Sequence, residues 1–166
     1  MNRLVSVWKY EGVVRKAILK LKYTFASDVV EELVEGFVGK LDKNLLSKKT
    51  CLVPMPMHSK RKRWRGFNQA EEMGKIVAEK LDWHFVPDLL VRTKHARPQI
   101  ELKGEERKKN VKGVFSINPN RSSDSECNTL ILFDDVWTTG STMKEAVKII
   151  KKKNKKLNVV GMTICS

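Results

Sequence analysis

Residues 130–142 read LILFDDVWTTGST, and this stretch decides the fold. Leu130, Ile131, Leu132 and Phe133 run without polar alternation, as a central parallel strand covered on both faces requires. Asp134 and Asp135 follow at its carboxyl end, the edge at which open α/β sheets bind ligands. Successive side chains on a strand point to opposite faces, so the two acids need separate roles. Thr138, Thr139, Gly140, Ser141 and Thr142 then supply hydroxyls, backbone N–H groups and one point of close backbone approach, just before a helix expected from about Thr142. That is the chemistry of a phosphate cradle. A Walker loop would need G-K-[ST] and a dinucleotide turn G-x-G-x-x-G; neither is present, and an acid pair with a hydroxyl-rich turn suits a sugar phosphate. A capping box of Thr142 and Glu145 would explain Thr142 but not the acids or the rest of the loop.

Working outward, Val13, Val14, Ala17, Ile18 and Leu21 recur at helical spacing, and a second stripe runs from Val29 through Val34 to Leu41, with Ser27 or Asp28 able to cap it. The first 45 residues are expected to be helical. Residues 50–53 form a short buried strand stopped by Pro54 and Pro56, followed by the basic, aromatic run SKRKRWRGFNQ. Asn68 and Glu71 stand in capping-box spacing ahead of a helix marked by Ala70, Met73, Ile76, Val77 and Leu81. Strands are expected at residues 84–91, 114–117, 129–133 and 158–164. The alternation predicts an α/β domain with a mostly parallel sheet flanked by helices. Residues 92–113 are polar and without periodicity, the pattern of a lid or binding loop, with surface disorder as the alternative.

At 166 residues the chain fits one domain. Thirty-three Lys and Arg against nineteen Asp and Glu give a formal charge of +14, which favours phosphates, nucleotides or nucleic acid as partners. The lysines near the C-terminus, Lys148 to Lys156, read first as a solvated helix face. Cys51, Cys127 and Cys165 lie far apart without a C-x-x-C pair, so neither a zinc ribbon nor a disulfide framework is expected and a reducing cytoplasm is the natural setting. His58, His84 and His95 share no ligand spacing. No secretory signal and no membrane span is apparent.

The segment 130–142 resembles the signature of the type I phosphoribosyltransferases: an apolar strand, two acids and a Thr/Gly-rich loop ending in Thr. The resemblance implies that Asp134 and Asp135 bind the ribose diol of phosphoribosyl pyrophosphate (PRPP) and that Thr138, Thr139, Gly140, Ser141 and Thr142 hold its 5-phosphate. Trp137 occupies a variable position and receives no role. More narrowly, the chain resembles the ComF family of competence-associated proteins, through Tyr10, Gly12, Arg15, Lys22 and Tyr23, then VPMP at residues 53–56, RGFNQ at 65–69, and Arg92, Thr93, Gln99, Arg107, Asn110 and Phe115. Many members begin with a cysteine-rich zinc ribbon that this sequence lacks, so zinc is not expected. The VPMP turn, with Pro54 and Met55, is implied as the pyrophosphate loop, assisted by Arg63 and Arg65. Asn68, which also suits a helix cap, Gln69, Arg92, Gln99, Arg107 and Asn110 complete the implied site. Mg²⁺ would be held mainly through the substrate, and residues 1–45 would form a small hood.

Three functions are compatible with these features. The first is transfer of the phosphoribosyl group to a nitrogenous acceptor, in nucleotide metabolism or natural competence. The second is non-catalytic sensing of PRPP or a nucleotide, because no base-recognition segment is identifiable. The third is single-stranded DNA binding through KRKRWR in the service of the competence machinery, although aromatic platforms are few. Such domains often pair, so a homodimer is compatible too.

Overall fold

The computed structural model describes residues 3–23, 26–42, 49–93, 113–121 and 127–166. Its centre is a five-stranded, all-parallel sheet in the order β1-β7-β6-β2-β3, formed by β1 (Arg3–Trp8), β2 (Thr50–Pro54), β3 (His84–Phe85), β6 (Thr129–Val136) and β7 (Asn158–Cys165). A separate antiparallel pair joins β4 (Leu90–Arg92) to β5 (Phe115–Ile117). The expected strand over residues 84–91 is thus two strands in different sheets, broken at Pro87, which has no N–H to continue a ladder.

Two apolar clusters cover the sheet. On one side, α1 (Gly12–Tyr23), α2 (Ser27–Gly39) and α4 (Gln69–Lys80) contribute Ile18, Leu21, Val34, Phe37, Met73 and Val77, which pack with Ile131 and Phe133 of β6. On the other, α5 (Ser141–Lys153) lays Met143, Ala146, Val147 and Ile150 against Leu130 and Leu132. Alternate residues of β6 feed opposite clusters, which is why its sequence is apolar without interruption. Gly74 lets α4 come close, since a Cβ there would press to 2.9 Å from Leu52.

Four readings are corrected or extended. The first 45 residues are not all helical, because Arg3–Trp8 pairs in parallel with β7, Val5 opposite Met162 and Ser6 opposite Thr163. Neither Ser27 nor Asp28 caps α2, whose cap residue is Ala26 and whose first turn has no side-chain cap. The run SKRKRWR, to which the sequence assigned no element, is a helix, α3 (Ser59–Arg65), opened by His58, whose Nδ1 accepts from the Lys60 N–H, and closed by the left-handed Gly66. Finally, a disulfide joins Cys51 to Cys127 across 76 residues, because β2 and β6 are neighbours and bring the two Cα atoms to 5.8 Å.

Candidate sugar-phosphate site

Strand β6 outlasts its neighbour. Its pairing with β2 ends at Pro54 opposite Phe133, while that with β7 runs on to Val136 opposite Cys165. Asp134 and Asp135 therefore lie within the strand and not beyond its end, on a ledge supported from one side. The last rung on the other side is the Met55 N–H donating to Phe133 O at 2.7 Å.

The two acids are unequal. The Asp135 N–H donates to Asp134 Oδ1 at 2.9 Å, and Lys22, from the end of α1, brings Nζ to 3.7 Å from Asp135 Oδ2. Burial, and after it the Asp135 carboxylate, push the Asp134 carboxyl well above the usual carboxylate range, against the opposing backbone N–H and Lys22. The Cys165 thiol, which donates to Asp135 O, is pushed up to about 12 by burial and then by Asp135. It stays a thiol at neutral pH and offers no nucleophile.

The loop after the ledge is shaped by two glycine requirements at one position. Gly140 is left-handed at φ +67°, and a Cβ there would fall on the Trp137 ring. Trp137 is itself pinned by its N–H to Cys165 O at 2.8 Å, and its ring lies 5.7 Å from Lys144 Nζ. Thr139 Oγ1 lies 3.0 Å from Ser141 Oγ, folding the hydroxyls toward each other. Helix α5 starts at Ser141 with Gly140 as cap residue and no side-chain cap, so the Thr142–Glu145 capping box does not form. Glu145 instead accepts from the Gly113 N–H at 2.9 Å. What remains is a hydroxyl-lined turn with the positive end of a 13-residue helix behind it, suited to an anion.

Opposite the ledge stand cations. Arg65 donates to Gln69 Oε1, while Arg65 Nε and Gln69 Nε2 are buried without hydrogen-bond partners. Arg92, at the end of β4, has a buried, unpartnered Nε as well, with its guanidinium 5.7 Å from the Phe115 ring. Burial and then the nearby Arg61 pull both guanidiniums down; Asp135 acts in the opposite sense on Arg65, and Asp134 on Arg92. Both remain cations at any ordinary pH. Arg65, Gln69 and Arg92 thus each bury a donor that no protein group meets, and such donors cost free energy unless a ligand meets them, a setting suited to an anion.

Of the expected residues, Asp134, Asp135 and the 138–142 turn follow one another from β6 into α5, Pro54 and Met55 lie beside Phe133 at the end of β2, and Arg65, bonded to Gln69, and Arg92 sense the charge of the acids. Asn68 is close too, but as a brace: it sits at the cap position of α4 without capping it and gives its Nδ2 to Met55 O at 3.1 Å. Arg61 and Arg63 are both exposed, and it is Arg61 whose charge acts on Arg65 and Arg92. Gln99, Arg107 and Asn110, with most of the expected lid, lie outside the described residues. Lys22 and Arg61 were not anticipated as site residues.

No protein-family model matches the chain. Among curated proteins it is 27% identical over 163 residues to the competence protein ComFC of Bacillus subtilis, covering 96% of this chain and 62% of that protein. It is 32% identical over 102 residues to competence protein F of Haemophilus influenzae, covering 61% and 44%. To the DNA utilization protein YhgH of Escherichia coli K12 it is 25% identical over 156 residues, covering 90% and 66%. The chain thus spans less than two thirds of these relatives. Among solved structures, a hypoxanthine phosphoribosyltransferase from Staphylococcus aureus aligns with a TM-score of 0.48 at 14% identity, covering 88% of this chain and 69% of that one. The adenine phosphoribosyltransferase of Leishmania donovani aligns with 0.49 at 13% identity, covering 98% and 71%. Over nearly its whole length the chain is thus similar to curated proteins named for competence and DNA utilization, on an α/β fold with a five-stranded parallel sheet flanked by helices.

Proposed function

We propose that this chain binds PRPP with Mg²⁺ and transfers its phosphoribosyl group to a nitrogenous acceptor. The observation that carries this reading is the company of three unlike groups: the hydroxyl turn after β6, the acid pair within β6, and the arginines of α3 and β4 whose charges couple to those acids. A ligand with a phosphate at one end, a diol in the middle and a diphosphate at the other matches them.

In this reading the 138–142 turn and the start of α5 hold the 5-phosphate, and Asp134 and Asp135 hold the ribose hydroxyls. Arg61, Arg65 and Arg92 receive the diphosphate beside the Met55 turn, with Gln69 as a further donor. During transfer the bond from the ribose carbon to the diphosphate breaks and a bond to the acceptor nitrogen forms. The arginines stabilise charge growing on the departing diphosphate, and the acids stabilise a sugar turning cationic. Two adjacent carboxylates suit a Mg²⁺ that takes its other oxygens from ligand and water. Among the described residues no cluster of three or more His, Cys, Asp or Glu would hold a metal otherwise. When bound, Mg²⁺ supplies further neutralisation of the diphosphate.

Calorimetry with PRPP and Mg²⁺ tests binding, and a pyrophosphate-release screen over bases and amines tests transfer. Binding without release across the screen favours a sensor of PRPP; absence of binding overturns the reading.

A second reading is supported by α3. None of its residues is buried, it carries Lys60, Arg61, Lys62, Arg63 and Arg65, and Trp64 is 73% exposed. A basic helix presenting an indole suits single-stranded nucleic acid, and the relatives are named for competence and DNA utilization. Titration of labelled single strands over a salt series tests it: weak affinity at low salt, or no effect of Trp64→Ala, counts against it.

A further inference from the structure

Lys22 is unaccounted for by the sugar-phosphate reading on which this inference rests. It stands in the last turn of α1, a helix held to the core by Ile18 and Leu21, and it reaches across to β6. Its Nζ lies 3.7 Å from Asp135 Oδ2, with the two side chains 26% and 15% exposed. Among the described residues it is the one cation recorded in ion-pair contact with the acid pair.

The acid pair on the sheet ledge is an attractive place for a divalent cation, with Asp135 offering carboxylate oxygens and Asp134 able to give up its proton to a metal. An ammonium already seated on one of them changes that. A bare divalent ion entering beside Asp135 meets Lys22 as a like charge in a half-buried setting, where charge interactions are stronger than in bulk water. A divalent ion bound to a sugar diphosphate meets it differently, because the complex as a whole remains anionic and its oxygens attract the same ammonium.

We propose that Lys22 keeps free divalent cations off the acid pair, so that metal engages Asp134 and Asp135 only when it arrives bound to a diphosphate-bearing ligand. Lys22 is thereby a positioning residue that acts through Asp135. It fixes the order of assembly: the metal enters with its ligand instead of occupying the ribose subsite ahead of it.

The test is binding of Mn²⁺ alone to the full chain, followed by electron paramagnetic resonance. Wild type binds Mn²⁺ weakly, Lys22→Met binds it at least about ten-fold tighter, and Lys22→Arg, which keeps the charge, behaves as wild type. The double variant Lys22→Met with Asp135→Asn loses the gain, which locates it at the acid pair. Circular dichroism checks folding, and Lys22→Gln replaces Lys22→Met if the latter does not fold. Equal Mn²⁺ affinity in the folded wild type and Lys22→Met overturns the proposal, as does a gain that Lys22→Arg shares or that survives loss of Asp135. Calorimetry of wild type with PRPP and Mg²⁺ is run alongside. Failure there, with the Lys22 effect on Mn²⁺ present, sinks the underlying reading and the ligand half of this proposal; failure of the Mn²⁺ comparison with PRPP binding intact sinks this proposal alone.

Discussion

Asn68 Nδ2 donates to the Met55 carbonyl at 3.1 Å, tying the first turn of α4 to the loop that follows β2. Asn68 is 5% exposed and Met55 4%, so removing the amide leaves a buried carbonyl without this donor. Asn68→Ala is expected to cost about 1–3 kcal/mol of stability. It should also weaken diphosphate binding by loosening Met55. Thermal denaturation and pyrophosphate calorimetry measure the two effects, and unchanged values in both would remove Asn68 from the account.

Gly140→Ala must adopt a left-handed backbone and press on the Trp137 ring. The backbone alone costs an L residue about 1–2 kcal/mol. Phosphate binding should fall with stability. Adding Trp137→Ala relieves the contact but not the backbone, so the double variant should recover part of the loss. Chemical denaturation checks the order of the three proteins.

Arg61, Arg65 and Arg92 should matter for pyrophosphate binding and Arg63 should not. Alanine at any of the first three removes a charge from the cleft and is expected to weaken binding by ten-fold or more, as for a charge-assisted contact of about 1.5–3 kcal/mol. Arg63→Ala serves as the control of equal charge change. If all four variants weaken binding equally, the cluster acts through net charge and not through placement.

Asp134→Asn combined with Asp135→Asn should abolish PRPP binding while leaving the protein folded. Retained affinity in calorimetry means that the ribose lies elsewhere.

The raised Asp134 carboxyl gives stability a definite pH slope. The folded state holds this proton at pH values where the unfolded chain, near the ordinary value of 3.8, has released it. Folding therefore binds a proton, and this contribution is full below 3.8 and lost as pH rises through the folded-state value. Asp134→Asn removes the slope, so its stability relative to wild type should increase as pH is raised from about 4 toward neutrality. Denaturation at a series of pH values reads this directly, and a constant difference contradicts it.

The sequence made the site more legible than its surroundings, for physical reasons. The strand, acids and loop of residues 130–142 are contiguous, so one reading captured them. Strand β1 escaped because Arg3–Trp8 shows its role only beside β7, where Ser6 faces Thr163. Carboxylates are depleted from strands, so composition places the acids past the end of β6, and only β7 carries the pairing that far. Helix α3 has no apolar stripe, so periodicity was silent about it. That omission also explains the choice of Arg63: once the segment is helical, Arg61 and Arg65 share a face at four-residue spacing, and Arg63 turns away. The Cys51–Cys127 link was hidden by its sequence separation of 76.

The one-sided ledge has a mechanical consequence. The acids and the phosphate turn ride on β6, which β7 braces to its last residue, whereas Met55 and the arginine helix hang from β2 beyond its final rung. In the proposed reading the sugar and the diphosphate would thus be carried by two different strands, joined last at the Met55–Phe133 hydrogen bond.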